Sequence, residues 1–141
     1  MTPTSEQTGE RTWYLDTSVA LRALLGHSQD ALDWYNQCAD EGDTFVSSRL
    51  LHLELTRALR REQLPVSIAD EFIEELTLLS IDNILIDESR AIEPHIKSLD
   101  AIHLASALRV GTANITVVTH DTNMAKVAAT LGFQVHDPVN S

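Results

Sequence analysis

The sequence predicts an α/β fold, a central parallel sheet of four to five strands flanked by helices on both sides, and three observations carry that expectation. Short apolar runs alternate with segments of helical period along the chain. The run "ITVVT" at residues 115–119 is almost free of strongly polar side chains, as a strand covered on both faces must be. No internal repeat, low-complexity tract or stretch of linker composition interrupts the alternation.

Taken in order, "TWYLD" is a short β-type run ending at Asp16, and "TSVALRALLG" follows as a helix with Thr17 or Ser18 as N-cap and Gly26 as its stop. "ALDWYNQCADEG" forms a second helix closed by Gly42, and "TFVSS" a second strand. "RLLHLELTRALRREQL" places Leu50, Leu51, Leu55 and Ala58 at helical spacing and is terminated by Pro65. Ser67 caps an amphipathic helix "IADEFIEELTLLS", and "NILID" reads as the third strand. A helical turn interrupted at Pro94 leads into "SLDAIHLASAL", a helix apolar nearly all round that Gly111 ends. "ITVVT" is the fourth strand, "HDTNMAKVAATLG" its crossover helix, and "FQVHD" a fifth strand at the edge.

Composition bounds the function. With 141 residues, 43% of them hydrophobic, and only five Gly and four Pro, the chain has an ordinary globular composition and the length of one domain. The single Cys38 excludes an intramolecular disulfide and a Cys-based zinc site, and it fits a reducing compartment. No run approaches the ~18 apolar residues of a membrane span, and the polar start "MTPTSEQTGER" has no apolar signal-peptide core. A flexible polar leader over 1–11, a domain over 12–141 and a cytoplasmic location are the resulting expectations. The net charge of −11 runs against unaided binding of nucleic acid, although divalent metal would neutralise part of it. The basic residues Arg57, Arg60 and Arg61 cluster in "LTRALRRE".

In an open parallel sheet, ligands gather outside the carboxyl ends of the strands, where strand order reverses. Asp16 directly follows the first strand and Asp121 the fourth, so both fall at that edge. Glu54 lies mid-helix with Leu50, Leu51 and Ala58 on its own stripe, and Asp100 shares a face with His103, Leu104, Ala107 and Leu108. Each acid has a structural alternative. Asp16 and Asp121 can be helix caps, Asp100 can serve the helix dipole, and Glu54 can pair with Arg57. The joint pattern is harder to explain this way, because converging carboxylates repel one another unless a cation holds them. Hard oxygen ligands without Cys or clustered His select Mg²⁺ or Mn²⁺.

The blocks "YLDTSVALRALL", "LLHLELTRALRR", "KSLDAIHLASAL" and "VVTHDTNMAKVAATLGFQV" resemble, in order and spacing, the motifs of the PIN-domain ribonucleases, in particular the VapC-type toxins of type II toxin–antitoxin systems. The resemblance spans essentially the whole chain after the leader, and it implies a single PIN-like domain. It places the family's catalytic and metal-binding acids on Asp16, Glu54, Asp100 and Asp121. Asp16 and Asp100 would be the firmest metal ligands, Asp121 would complete a site, and Glu54 would orient water or bind a second ion. Thr119 matches a position where a hydroxyl supports the acids. The long leader departs from the family pattern.

The resemblance further implies a metal-dependent endoribonuclease that arrests translation and growth. One or two Mg²⁺ or Mn²⁺ ions would position water for in-line attack, leaving 5′ phosphate and 3′ hydroxyl ends. The substrate would be single-stranded or looped RNA, tRNA or rRNA. Arg57, Arg60 and Arg61 would hold its backbone or form a solvated helix face. A homodimer and a cognate VapB-type antitoxin, whose C-terminal segment lies in the acidic groove, complete the implied partners.

Two other classes compete. A catalytically silent PIN-like binding module would usually lack one of the acids, and a receiver-like signalling domain needs paired acids after its first strand and a Lys after its fifth, which this chain lacks. The six His residues show no HExxH pattern, and GxSxG, P-loop and GxGxxG motifs are absent. His103 is read as a packed, hydrogen-bonded histidine or a support for Asp100, His120 as exposed, and Trp13 and Trp34 as core or interface residues.

Overall fold

The structure, a computed structural model, describes residues 11–140. The leader expected over 1–11 therefore lies outside the described residues apart from Arg11. Strand β1 (Thr12–Leu15) is followed by helices α1 (Thr17–Leu24) and α2 (Gln29–Asp40), strand β2 (Thr44–Ser48), and helices α3 (Arg49–Arg61) and α4 (Ser67–Ile73). Strand β3 (Thr77–Leu79), helices α5 (Asn83–Arg90) and α6 (Ser98–Val110), strand β4 (Thr116–Val118), helix α7 (Thr122–Thr130) and strand β5 (Gln134–His136) complete the order. A short 3₁₀ turn covers Pro138–Asn140.

The five strands form one parallel sheet in the order β3-β2-β1-β4-β5. The chain starts at the centre, builds outward through β2 and β3, then crosses to β4 and builds outward on the other side. The reversal falls between β1 and β4, where a crevice opens beyond the strand ends. There the ladder continues one residue further: Asp16 N–H donates to Val118 C=O at 2.9 Å.

Alternation along β1 sends its side chains to two cores. Trp13 and Leu15 join Phe45, Val118 and apolar residues of α1 to α4 on one face of the sheet. Tyr14 joins Val46, Val117, Leu104 and residues of α7 on the other. Helices therefore cover both faces, as the near-continuous apolar character of the central strands requires.

Two assignments from the sequence are corrected. "NILID" is the start of α5, not a strand. Asp82 caps that helix, its Oδ1 accepting the Leu85 N–H at 2.8 Å, and only Leu85 of the apolar run is buried, with Ile84 66% exposed. A short apolar run at a helix start mimics a strand in composition. The third strand is instead Thr77–Leu79, so the helix read through "IADEFIEELTLLS" stops at Ile73. Ser67 lies inside α4, whose N-cap position is Val66. A three-residue edge strand is too short to show alternation.

Candidate functional site

Asp16 leaves β1 in extended conformation and occupies the N-cap position of α1, yet its side chain makes no capping hydrogen bond. It accepts two hydroxyls on Oδ2 instead, from Ser18 and from Thr119, each at 2.8 Å. The residue is 5% exposed. Its Oδ1 takes no hydrogen bond among the described residues and is not one of the buried, unpartnered atoms. The capping alternative for Asp16 is thereby excluded, and one oxygen is held by two hydroxyls.

Asp121 begins α7 and does cap it, Oδ1 accepting the Met124 N–H at 2.8 Å. Its own N–H donates to Thr119 Oγ1 at 3.0 Å. Capping and a place at the site are compatible here, because the cap engages one carboxylate oxygen.

Glu54 reaches from α3 toward the start of α1. Its Oε1 accepts from Thr17 Oγ1 at 2.6 Å and lies 2.9 Å from His103 Nε2. Burial pushes its pKa up, but the hydrogen bonds from His103 and Thr17 outweigh it and hold the carboxyl below the usual range. The pairing with Arg57 does not form. Arg57, Arg60 and Arg61 stand exposed along α3, with Arg61 3.9 Å from Glu62.

Asp100 lies in the first turn of α6 and takes no hydrogen bond among the described residues. Burial raises its pKa, the charges of Asp16 and Asp121 raise it further, Glu54 adds to them and only His103 opposes, so that it reaches about 6. The three acids that act on Asp100 are the three the sequence selected with it. They share one electrostatic site at the β1–β4 switch point.

The donor chemistry suits a hard cation, being carboxylate oxygen. Among the described residues no three His, Cys, Asp or Glu side chains are gathered closely enough to enclose an ion unaided. Mg²⁺ asks less than that, since it typically keeps several waters and takes one or two protein carboxylates. The free oxygen of Asp16 and the carboxylate of Asp100 meet that demand.

Other residues singled out from the sequence have different roles. His103 is fully buried and hydrogen-bonded to Tyr14 and Glu54. His120 is not simply exposed, since its Nδ1 lies 3.0 Å from an Asp137 carboxylate oxygen. Trp13 and Trp34 pack edge to face at 5.2 Å beside a cavity of about 450 Å³ at the opposite ends of the strands, remote from the acids. Thr17, Ser18 and Tyr14 were missed as donors to the site. The triplet Asp-Thr-Ser carries the available signal: two hydroxyls in the first turn after a strand-end acid.

An open parallel sheet with its acids at the central switch point is the arrangement of a PIN domain. Residues 13–130 match that family, and the chain belongs to it. Its relatives are VapC ribonucleases. It is 33% identical over 128 residues to ribonuclease VapC46 of Mycobacterium tuberculosis, covering 89% of this chain and 96% of that one. It is 32% identical over 133 residues to ribonuclease VapC35 of the same organism, with the same coverage. Two solved structures share the fold. VapBC2 from Rickettsia felis, bound to a DNA fragment from its promoter, superposes with a TM-score of 0.69 at 16% identity over 89% of this chain and 98% of that one. VapBC-1 from nontypeable Haemophilus influenzae does so with a TM-score of 0.65 at 15% identity, over 90% and 98%. No helix among the described residues is long and apolar enough to cross a membrane.

Proposed function

We propose that this chain is the toxin of a type II toxin–antitoxin pair, a cytoplasmic endoribonuclease that cuts tRNA or rRNA with Mg²⁺ or Mn²⁺ bound at the β1–β4 edge, with residues 12–141 as its PIN domain. The convergence of Asp16, Glu54 and Asp121 on Asp100 carries this reading. A bound divalent ion would supply Lewis-acid activation of water and charge stabilisation on the phosphodiester.

The chain's own residues supply the rest. Asp16 and Asp100 would hold the ion, Asp121 would complete the site, and Glu54 would orient water. Thr119 and Ser18 hold one oxygen of Asp16 in place. The exposed Arg57 and Arg60 lie on the helix that carries Glu54 and are placed to meet the RNA backbone.

Partner binding follows from charge and from exposed apolar surface. Leu53 and Leu99, 58% and 49% exposed, adjoin Glu54 and Asp100 in sequence and would give the acidic edge an apolar rim. A VapB-type antitoxin segment with one basic and several apolar side chains suits that rim. Ile84, Ile86 and Leu108, exposed on α5 and α6, suit a second copy of the chain.

Asp16→Asn and Asp100→Asn should each abolish Mg²⁺-dependent RNA cleavage and relieve growth arrest while circular dichroism stays native. Undiminished cleavage in both variants would overturn the reading. Mapping new 5′ phosphate ends after expression, against the Asp16→Asn control, identifies the RNA.

A further inference from the structure

His103 has no surface of its own: it is fully buried on α6, one turn beyond Asp100, at a place where an aliphatic side chain would fill the volume without the expense of desolvating two ring nitrogens. Both nitrogens are engaged. Nδ1 lies 2.8 Å from the Tyr14 hydroxyl, and Nε2 lies 2.9 Å from Glu54 Oε1 and 3.3 Å from Thr17 Oγ1.

The direction of the chain of hydrogen bonds follows from which groups can give a proton. An ionised carboxylate only accepts, so the proton between His103 and Glu54 sits on Nε2. Nδ1 then faces the Tyr14 hydroxyl, which is able to give it a hydrogen bond. The serines around Tyr14 leave it free to do so, because Ser47 and Ser106 donate their own hydroxyls to Leu15 C=O and Ile102 C=O, each at 2.8 Å. Tyr14 is fully buried, and burial drives its pKa far above the usual value, so it keeps its proton.

We propose that His103, braced at Nδ1 by Tyr14 and donating from Nε2, is a positioning residue that together with Thr17 locks Glu54 Oε1 and leaves Oε2 presented to the site. Glu54 Oε2 takes no hydrogen bond among the described residues and is not one of the buried, unpartnered atoms, so it is accessible. The relay joins β1, α1, α3 and α6, so the element carrying Asp100 is tied to the element carrying Glu54 through one ring. What the presented oxygen does rests on the ribonuclease reading above. That the ring holds Glu54 does not.

The test has two arms. Nitrogen-15 shifts of His103 in the metal-free wild type should show a proton on Nε2, with the Nε2–H signal moved by Glu54→Ala and the Nδ1 signal moved by Tyr14→Phe. A ring without a proton on Nε2, or signals indifferent to both substitutions, overturns the proposal whatever the chain does to RNA.

In the cleavage arm, His103→Leu should lower kcat by about tenfold to a hundredfold, the usual consequence of losing an outer support of a metal site, with KM for RNA unchanged. His103→Gln, which returns an N–H near Nε2, should restore most of the loss. Tyr14→Phe, which removes one oxygen, should lower kcat in the same direction and keeps this arm decisive if His103→Leu does not fold. Wild-type kcat in His103→Leu and Tyr14→Phe overturns the positioning role while leaving the ribonuclease reading intact. A wild-type protein that never cleaves RNA, with the expected ring shifts, overturns the ribonuclease reading and supports the locking of Glu54.

Discussion

The Thr119 hydroxyl stands 2.8 Å from Asp16 Oδ2 and 3.0 Å from the Asp121 backbone nitrogen, donating to the first and accepting from the second. One oxygen atom thus links the loops that follow β1 and β4. The side chain is 1% exposed, so its bonds have no competing water.

Thr119→Val keeps the branched shape and removes both bonds. The part-buried Asp121 N–H is left without its partner, at up to roughly 1–3 kcal/mol. We expect an unfolding free energy lower by about that amount and RNA cleavage reduced at least roughly tenfold, since Asp16 loses one of its two fixing donors. Thr119→Ser should recover both quantities. Denaturant unfolding alongside initial cleavage rates checks the pair, and a Val variant equal to wild type in both would show the bridge to be inert.

That bridge also shows how far the sequence could be read. Topology alone put Asp16 and Asp121 at one edge, because a parallel α/β order fixes which strand ends face the crevice. Glu54 and Asp100 were legible as acids on apolar stripes. Of the hydroxyl partners, Thr119 was legible only through the family resemblance, its contact with Asp16 spanning 103 positions, while Thr17 and Ser18 read as no more than helix caps. The third strand was misplaced for a different reason. "NILID" is richer in strand-forming residues than "TLL", and only the pairing of Val46–Ser48 with Thr77–Leu79 decides between them.

Asp100 makes stability depend on pH in a direction opposite to that of a salt-bridged acid. Its folded pKa, about 6, lies above the ordinary carboxyl value of 3.8. The folded state therefore holds the proton more tightly. That contribution is fully present below the ordinary value and is lost as pH rises through 6. Asp100→Asn removes the penalty, so in chelator the Tm of the variant minus that of wild type should grow between pH 4.5 and pH 7.5, by roughly 2 °C or more. Water around the half-buried group moderates the size. A difference independent of pH would contradict the charge convergence.

Metal should act on the same charge from the other side. Binding requires the ionised carboxylate, so added Mg²⁺ should raise the wild-type Tm more at pH 7.5 than at pH 5. Asp16→Asn should abolish the increment at both values. Thermal shifts with and without Mg²⁺ measure this directly, and an equal increment in Asp16→Asn would place the ion elsewhere.

Arg57 and Arg60 separate binding from chemistry. Both are exposed on α3, and neither forms an ion pair among the described residues, so Gln at either position should change stability by less than about 0.5 kcal/mol. Their effect should fall on RNA affinity instead. Each phosphate contact to a single strand contributes roughly 0.7 to the slope of log affinity against log salt. Arg57→Gln with Arg60→Gln should therefore raise KM, flatten that slope by about 1.4 if both side chains touch phosphate, and leave kcat at saturating RNA near wild type. The chain's net charge of −11 sharpens the expectation, because a protein so acidic must concentrate its few cations where the polyanion lies. An unchanged slope would assign these arginines to a solvated face and move the search for the RNA path to the other side of the acidic edge.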